Sequence, residues 1–153
     1  MPPPPNIEQL LQQLQFPGMP QPESDVAMLW LQRHGREYDA IEFNVRLGEG
    51  QLPLPGLDAS TARLQRLVTQ KRADIIVTLG DQATIIEAKI RAGLGAIGQL
   101  TGYRDLYARD NPDRPAPRLL IIAKFADPDV QYVASQNGID LLLFERATPQ
   151  PTA

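Results

Sequence analysis

The stretch RADIIVTLGDQATIIEAKI, residues 72–90, decides the fold of this chain. It contains two runs rich in β-branched residues, Ala73–Leu79 and Ala83–Ile90, with a Gly-Asp dipeptide between them. β-Branched residues favour strands, and a glycine at the first central position of a two-residue turn supplies the positive φ of a type II′ hairpin. The sequence therefore predicts an antiparallel hairpin in which Leu79 pairs with Gln82.

This register brings three ionisable side chains to one face of the hairpin. Counting back from the turn, Asp74 lies opposite Glu87, and Arg72 lies opposite Lys89. Opposed residues of an antiparallel pair share a face, and so do residues two apart on one strand. Asp74, Glu87 and Lys89 are therefore expected to converge, while the apolar residues around them face the other way. Those apolar residues are Ile75, Val77, Ile86, Ala88 and Ile90.

Two carboxylates that face each other across a strand pair repel, and sequences usually avoid that arrangement. A divalent cation turns the cost into a binding site, because Mg²⁺ prefers carboxylate oxygens together with waters and phosphate oxygens. We expect Asp74, Glu87 and the backbone carbonyl of Ala88 to bind Mg²⁺ or Mn²⁺, with Lys89 beside a water or a scissile phosphate. The alternative is structural: Asp74 ends a strand, and Glu87 and Lys89 lie on a solvated edge.

The elements around the hairpin indicate an α/β fold class. A helix is predicted from Ser24, as its N-cap, to Gly35, and the alternation of Ala40–Leu47 predicts a half-buried strand with one apolar face. Gly48–Ser60 is rich in glycine and proline and is predicted to be a loop. After the hairpin we predict a helix over Leu94–Arg109, a strand over Arg118–Phe125, a helix over Asp127–Gln136 and a strand over Ile139–Phe144. The order α-β-β-β-α-β-α-β predicts a three-layer core, a mixed sheet of about five strands flanked by helices.

The hairpin motif resembles a known superfamily of nucleases. Asp74 lies in the run Ala73-Asp74-Ile-Ile-Val, and twelve residues separate it from Glu87-Ala88-Lys89. This arrangement is similar to the PD-(D/E)xK motif. The resemblance covers roughly residues 24–145, including the order of elements. It implies a restriction-endonuclease-like fold and a Mg²⁺-dependent nuclease that hydrolyses DNA, with Asp74, Glu87 and Lys89 as catalytic residues and a 5′-phosphate on the product.

The helix after the hairpin carries a second resemblance. Gln99-Leu-Thr-Gly-Tyr103 is similar to the QxxxY motif of RecB-type nucleases and their CRISPR-associated relatives. Residues four apart share a helical face, and in that group the two side chains help to orient the site and the nucleic acid. The alternative is an ordinary amphipathic helix with Tyr103 in the core. Related Holliday-junction resolvases place an acidic residue on the first helix, where Glu23 or Asp25 either completes the metal site or only favours the helix N-terminus.

The ends of the chain differ in composition from its middle. Residues 1–22 form a proline-rich N-terminal arm with a short helix over Asn6–Gln15, which docks either on this chain or on a partner. The apolar stripe of that helix is Ile7, Leu10, Leu11 and Leu14. The nuclease domain is expected over residues 23–146, and residues 147–153 read as a disordered tail.

Charge is distributed unevenly along the chain, whose net charge is −3. Residues 61–124 hold 11 Lys/Arg and 6 Asp/Glu, a net of +5, whereas residues 1–60 hold 3 and 8, and residues 125–153 hold 1 and 4. The basic middle contains the proposed site, which suits contact with phosphates, although chance segregation would give the same pattern. The residues expected to bind DNA are Lys71, Arg72, Arg91, Arg104 and Lys124.

Composition removes several other classes of site. The chain has no cysteine and one histidine, so a thiolate zinc site and a multi-histidine site within one chain are both excluded. No apolar run approaches a membrane span and no secretory signal is visible, so we expect a cytoplasmic protein, or a virion-associated one if a phage encodes it. Its expected partner is DNA, with a possible homodimer or protein partner. The alternative function is a non-enzymatic structural or nucleic-acid-binding component of a phage particle or recombination complex, built on the same fold.

Overall fold

The structure, a computed structural model, describes residues 7–13 and 15–144. The polyproline leader, the Asn6 helix cap, Leu14 and the predicted tail lie outside the described residues. The elements in chain order are α1 (Ile7–Leu10), α2 (Gln21–His34), a 3₁₀ turn (Gly35–Glu37), β1 (Ala40–Leu47), α3 (Ala59–Thr69), β2 (Lys71–Leu79), β3 (Gln82–Arg91), α4 (Leu94–Asp110), β4 (Arg118–Phe125), α5 (Pro128–Gln136) and β5 (Ile139–Leu143).

The five strands form one sheet in the order β1-β2-β3-β4-β5. The first two strand pairs are antiparallel, and the last two are parallel. Helix α2 packs on β3 and β4, and α4 crosses β1 to β4 beside α5. The predicted α/β class and five-stranded mixed sheet are confirmed, and the arrangement is compatible with three layers.

The hairpin has the predicted turn and register. Gly80 has a φ of 63°, and Asp81 is not among the described residues with positive φ, as a type II′ turn requires. Pairing runs from Leu79↔Gln82 as far as Ile75↔Ile86. The two faces of the hairpin therefore carry the residues that the alternation assigned to them.

Two apolar clusters cover the two faces of the sheet. The α2-side cluster joins Trp30 and Leu31 to Ile75, Val77 and Ile86. The α4-side cluster joins residues of α4 and α5 to the opposite side of the strands, and its members include Ile85, Leu100, Tyr103, Tyr107 and Ile121. Because β3 and β4 are buried on both faces, each carries apolar residues on both faces, and a buried charged residue such as Glu87 stands out.

Helix α2 begins earlier than predicted, so the assignment of Ser24 as its N-cap is wrong. The helix starts after Pro20, and Ser24 is buried within its first turns. The Ser24 hydroxyl accepts a hydrogen bond from the Phe16 N–H (3.0 Å) and donates one to the Met19 carbonyl (3.2 Å). A serine signals a helix start because it hydrogen-bonds nearby backbone, and here the backbone that it binds belongs to the preceding loop.

The segment before α2 packs on this chain. Phe16 and Met19 are buried in the α2-side cluster, and Leu11 packs against it. Glu8 of α1 forms an ion pair with Arg36. Docking on the same chain was one of the two possibilities left by the sequence. None of the helices in the described part of the chain has both the length and the apolar composition to cross a membrane.

Helix α3 was not predicted, and it changes the order of elements to α-β-α-β-β-α-β-α-β after α1. The glycine- and proline-rich stretch is a loop only as far as Asp58, whose carboxylate caps the helix by accepting from the Thr61 N–H (2.8 Å). None of its residues is buried, and Leu64 and Val68 are more than half exposed. The sequence does carry a signal for this helix, because Asp58 is a favourable N-cap and Leu64, Leu67 and Val68 have helical spacing.

Strand β1 does not keep one apolar face. Ile41 and Phe43 pack on the α2-side cluster, but Val45 and Leu47 belong to the α4 side. The predicted single apolar face is therefore wrong. The change of face occurs at Asn44, which has a φ of 52° in the left-handed region.

Candidate functional site

Strands β2 and β3 part where the three ionisable residues lie. Backbone pairing stops at Ile75↔Ile86, so Asp74 and Glu87 are not ladder partners, and neither are Arg72 and Lys89. This corrects the extension of the register beyond Ile75. In place of the ladder, each carboxylate accepts from the opposite strand: the Asp74 N–H donates to Glu87 Oε1 (3.3 Å), and the Ala88 N–H donates to Asp74 Oδ2 (3.0 Å).

Burial and charge distinguish the site from an ordinary strand pair. Glu87 is only 2% exposed, and Asp74 is half-buried. Lys89 Nζ lies 3.7 Å from Glu87 Oε2, and the Lys89 side chain is 33% exposed. Glu87 therefore does not lie on a solvated edge, and one cation serves two carboxylates that are largely removed from water.

The carboxyl groups of Asp74 and Glu87 are both harder to ionise than free carboxyl groups. Burial, with the neighbouring charge of Asp74, raises the pKa of Glu87 to about 8, and Lys89 only partly opposes this. Burial also raises the pKa of Asp74, against the Ala88 N–H and Lys89, which lower it. Near neutral pH the pair therefore tends to retain a proton, and an added cation would favour full ionisation of both groups.

Helix α4 carries Gln99 and Tyr103, and it places the Tyr103 hydroxyl near Gln99 and the two carboxylates. The Tyr103 ring is buried in the α4-side cluster. Burial and the charges of Glu87 and Asp74 raise the pKa of its hydroxyl to about 12, although a hydrogen bond with Gln99 lowers it. Tyr103 therefore fits both interpretations from the sequence. Its ring packs in the core, and its hydroxyl is close enough to the two carboxylates for their charge to raise its pKa.

The two acidic residues near the start of α2 have different surroundings. Glu23 is in the first turn, and its charge is one of the influences that raise the pKa of Asp74. Asp25 is exposed and accepts a hydrogen bond from Gln21 Nε2 (2.9 Å). Of the two candidates for completing the acidic site, only Glu23 acts on Asp74.

The donor set has the chemistry that a hard divalent cation prefers. Residues 7–13 and 15–144 contain no group of three or more His, Cys, Asp or Glu side chains placed to hold a metal by themselves. The carboxylates of Asp74 and Glu87 would therefore need other oxygen ligands. Mg²⁺ commonly binds in this way, through one or two carboxylates with waters and substrate phosphates.

Most of the predicted DNA-binding residues lie at the same end of the sheet as the carboxylates. Lys71 and Arg72 begin β2, while Arg91 ends β3 and Lys124 lies near the end of β4. These ends coincide because β2 is antiparallel to β3, and β4 is parallel to it. The Arg91 guanidinium lies 5.3 Å from the Phe125 ring centroid.

Arg104 differs from these four basic residues because it already has an acidic neighbour. It is on α4, and its Nε lies 3.2 Å from Asp105 Oδ1. Its side chain is half-buried. Contact with a phosphate would compete with this ion pair.

Sequence reasoning missed Asn44. It stands between the paired residues Phe43↔Ile75 and Val45↔Ala73, which is the position across from Asp74. Asparagine is among the few residues that tolerate a positive φ, but nothing in an alternating strand pattern signals that this tolerance is used.

Comparisons of this chain with protein-family models, with curated proteins and with solved structures find no match.

Proposed function

We propose that this chain is a metal-dependent nuclease of the PD-(D/E)xK type, with a restriction-endonuclease-like fold, that hydrolyses DNA phosphodiester bonds. The observation that carries the proposal is the pairing of Glu87, 2% exposed, with Asp74 beside a single lysine at 3.7 Å. Where the hairpin opens, each of the two carboxylates accepts a hydrogen bond from a backbone N–H of the opposite strand. The carboxylate pair supports the proposed cation, and the proposed DNA substrate rests on the resemblance to the PD-(D/E)xK motif.

A structural role accounts poorly for this pair. Removing a carboxylate from water is costly, and well-packed apolar residues often replace buried ion pairs without loss of stability. The neighbouring positions of β3 are apolar, so an apolar residue would fit the local pattern at position 87. Carboxyl groups whose pKa is shifted by burial and by each other are typical of functional sites.

Mg²⁺ or Mn²⁺ fits the residues that surround the opening of the hairpin. Asp74 and Glu87 would hold it. The N–H and C=O of a strand residue point toward the same neighbouring strand, and the Ala88 N–H points at Asp74, so the Ala88 carbonyl faces the same gap. When bound, the cation would neutralise charge on a phosphate and make water a stronger nucleophile.

The side chains of the chain supply the remaining functions. Lys89 keeps its ammonium beside Glu87 and partly in solvent, where it can stabilise the charge that grows on the phosphate. Water forms a bond to phosphorus as the bond to the leaving 3′-oxygen breaks, which leaves a 5′-phosphate. The Tyr103 hydroxyl, with a pKa of about 12, stays protonated and acts as a hydrogen-bond donor that Gln99 helps to hold.

The proposal is tested by a cleavage assay on single-stranded, duplex and branched DNA with Mg²⁺ or Mn²⁺. Asp74→Asn and Lys89→Met should each lower the rate by orders of magnitude. The matched control is Asp81→Asn, since Asp81 is exposed in the hairpin turn at the far end of β2 and β3. Cleavage that persists undiminished in Asp74→Asn would contradict the assignment.

Metal binding separates the nuclease from a non-enzymatic module on the same fold. Calorimetry with Mg²⁺ or Mn²⁺ should show binding to the wild type, with or without DNA, and weaker binding to Glu87→Gln. No binding under any of these conditions, together with no cleavage, would favour a structural or nucleic-acid-binding component of a larger assembly.

A further inference from the structure

We infer that Asn44 is a positioning residue for Asp74, and that its left-handed backbone conformation turns the Asp74 carboxylate into the gap between β2 and β3. The role of Asp74 in metal binding and catalysis rests on the proposed function. The positioning itself rests on the backbone of β1 and β2. Asn44 is the only non-glycine residue with positive φ among residues 7–13 and 15–144.

The unusual residue lies directly beside the site. Pairing of β1 with β2 is present at Phe43↔Ile75 and resumes at Val45↔Ala73. Asn44 and Asp74 are the two residues between those pairs, and they are not partners themselves. A left-handed residue inside a strand breaks the local ladder and rotates the chain that follows it.

The rotation is visible in both strands. In β1, Phe43 packs on the α2-side cluster but Val45 on the α4-side cluster. In β2, Ile75 lies in the α2-side cluster but Ala73 in the α4-side cluster. Residues two apart on a regular strand face the same way, so each strand changes face at one position. In β2 that position is Asp74.

This change of face explains the direction of the Asp74 side chain. A residue in a regular strand projects to one side of the sheet. Asp74 instead reaches along the sheet to the backbone of β3, where its Oδ2 accepts from the Ala88 N–H at 3.0 Å. Its own N–H is free of the ladder and donates to Glu87 Oε1. The kink in β1 therefore continues across β2 into the opening of the hairpin.

The loop before α2 leaves room for the kink. Gly18 packs against the Asn44 side chain so closely that a Cβ on Gly18 would lie 2.5 Å from Asn44 Oδ1. Gly18 also has a φ of +70°. Next to it, Phe16 stacks on Phe43 with ring centroids 4.6 Å apart. The left-handed conformation is thus enclosed by packing on its neighbours, as strained positions at functional sites commonly are.

The test compares residues that accept a left-handed backbone with residues that resist it. Asn44→Gly keeps the conformation accessible, whereas Asn44→Ala and Asn44→Val oppose it progressively. Amide hydrogen exchange by NMR reports the geometry without any assay of activity. In the alanine and valine variants, exchange of the Ala88 amide should rise roughly tenfold or more relative to Thr84 in the paired part of the hairpin. The glycine variant should match the wild type.

Kinetics provide the second readout. At temperatures where circular dichroism shows a folded protein, the alanine and valine variants should need more Mg²⁺ for half-maximal cleavage and lose kcat by up to about a hundredfold. Their KM for DNA should change less than kcat, because the proposed DNA-binding residues Arg91 and Lys124 lie on β3 and β4, which do not contain the kink. The alanine variant carries the comparison if the valine variant fails to fold.

Two results would overturn the inference. One is wild-type protection of Ala88 in folded Asn44→Ala. The other is an Asn44→Gly variant as impaired as Asn44→Ala, which would assign the effect to the amide side chain instead of the backbone. If the exchange pattern appears as expected but wild-type protein neither binds metal nor cuts DNA, the positioning stands and only the nuclease proposal fails.

Discussion

At the scale of single residues, the buried carboxyl group of Glu87 should make the stability of the protein depend on pH. Its folded-state pKa of about 8 lies above the ordinary value of 4.5, because burial and Asp74 disfavour the charged form. The native state therefore keeps a proton that the unfolded state releases as the pH rises between these values. Without metal, stability should fall as pH increases from about 4.5 to about 8, by an amount on the order of a few kcal/mol.

Glu87→Gln should remove most of this pH dependence. Glutamine keeps an oxygen that can accept from the Asp74 N–H, but it cannot ionise. We expect the variant to be as stable as the wild type at pH 5 and more stable at pH 8 in chemical denaturation without metal. It should also gain little stability from Mg²⁺, which stabilises the wild type by binding its native state. A variant that is strongly destabilised at pH 8, yet gains as much from Mg²⁺ as the wild type, would show that the metal site is misplaced.

At the scale of elements, α4 links the core to the site through a pair of tyrosines one turn apart. Tyr103 and Tyr107 are both buried in the α4-side cluster, and the charges of Glu87 and Asp74 add to burial in raising the pKa of Tyr103. Tyr103→Phe should therefore leave stability within about 1 kcal/mol of the wild type, because the ring packing is kept, while cleavage falls at least about tenfold.

Tyr107→Phe is the matched control, since it removes a hydroxyl from the same helix and cluster. We expect thermal melts of the two variants to be similar and cleavage rates to differ. Equal activity in both variants would assign Tyr103 to the core alone.

Helix α3 presents the opposite case within the same molecule: it is capped by Asp58 but buries none of its residues, so its stability depends on local bonds.

At the scale of the whole molecule, basic residues lie toward both ends of the sheet, but only one end also carries the Asp74 and Glu87 carboxylates. Lys71 and Arg72 lie at the same end as Asp74 and Glu87, whereas Arg114 and Arg118 lie toward the end that carries the hairpin turn. Phosphate contacts release counterions, so they make affinity depend on salt. Neutralising Lys71 and Arg72 together should weaken DNA binding across all sequences and reduce the slope of log affinity against log salt by about 2.

Arg114→Gln with Arg118→Gln is the control for this prediction, because it removes the same charge from the other end. Fluorescence anisotropy over a range of salt concentrations measures both double variants. An unchanged slope for Lys71 and Arg72, or an equal loss in the control, would place the path of DNA elsewhere on the surface.

The sequence by itself determined the parts of this protein that depend on neighbours along the chain. The Gly-Asp turn and the apolar alternation were sufficient for the hairpin and its register from Leu79↔Gln82 to Ile75↔Ile86. The buried runs of β3 and β4 identified the middle of the sheet, and Asp127 was correctly placed at the start of α5. Turn chemistry and side-chain period are local properties, so they can be read from residue order.

Only the tertiary structure decided how the site opens. The ladder gives way at Asp74 because carboxylates take over backbone hydrogen bonds there, and β1 kinks at Asn44 against the loop that holds Gly18. The first event joins residues 13 and 14 positions apart in sequence, and the second joins residues 26 positions apart. Extrapolating a regular ladder missed them, because an alternating pattern specifies which face a residue prefers. It does not specify where competing side-chain hydrogen bonds and packing make the strand change face.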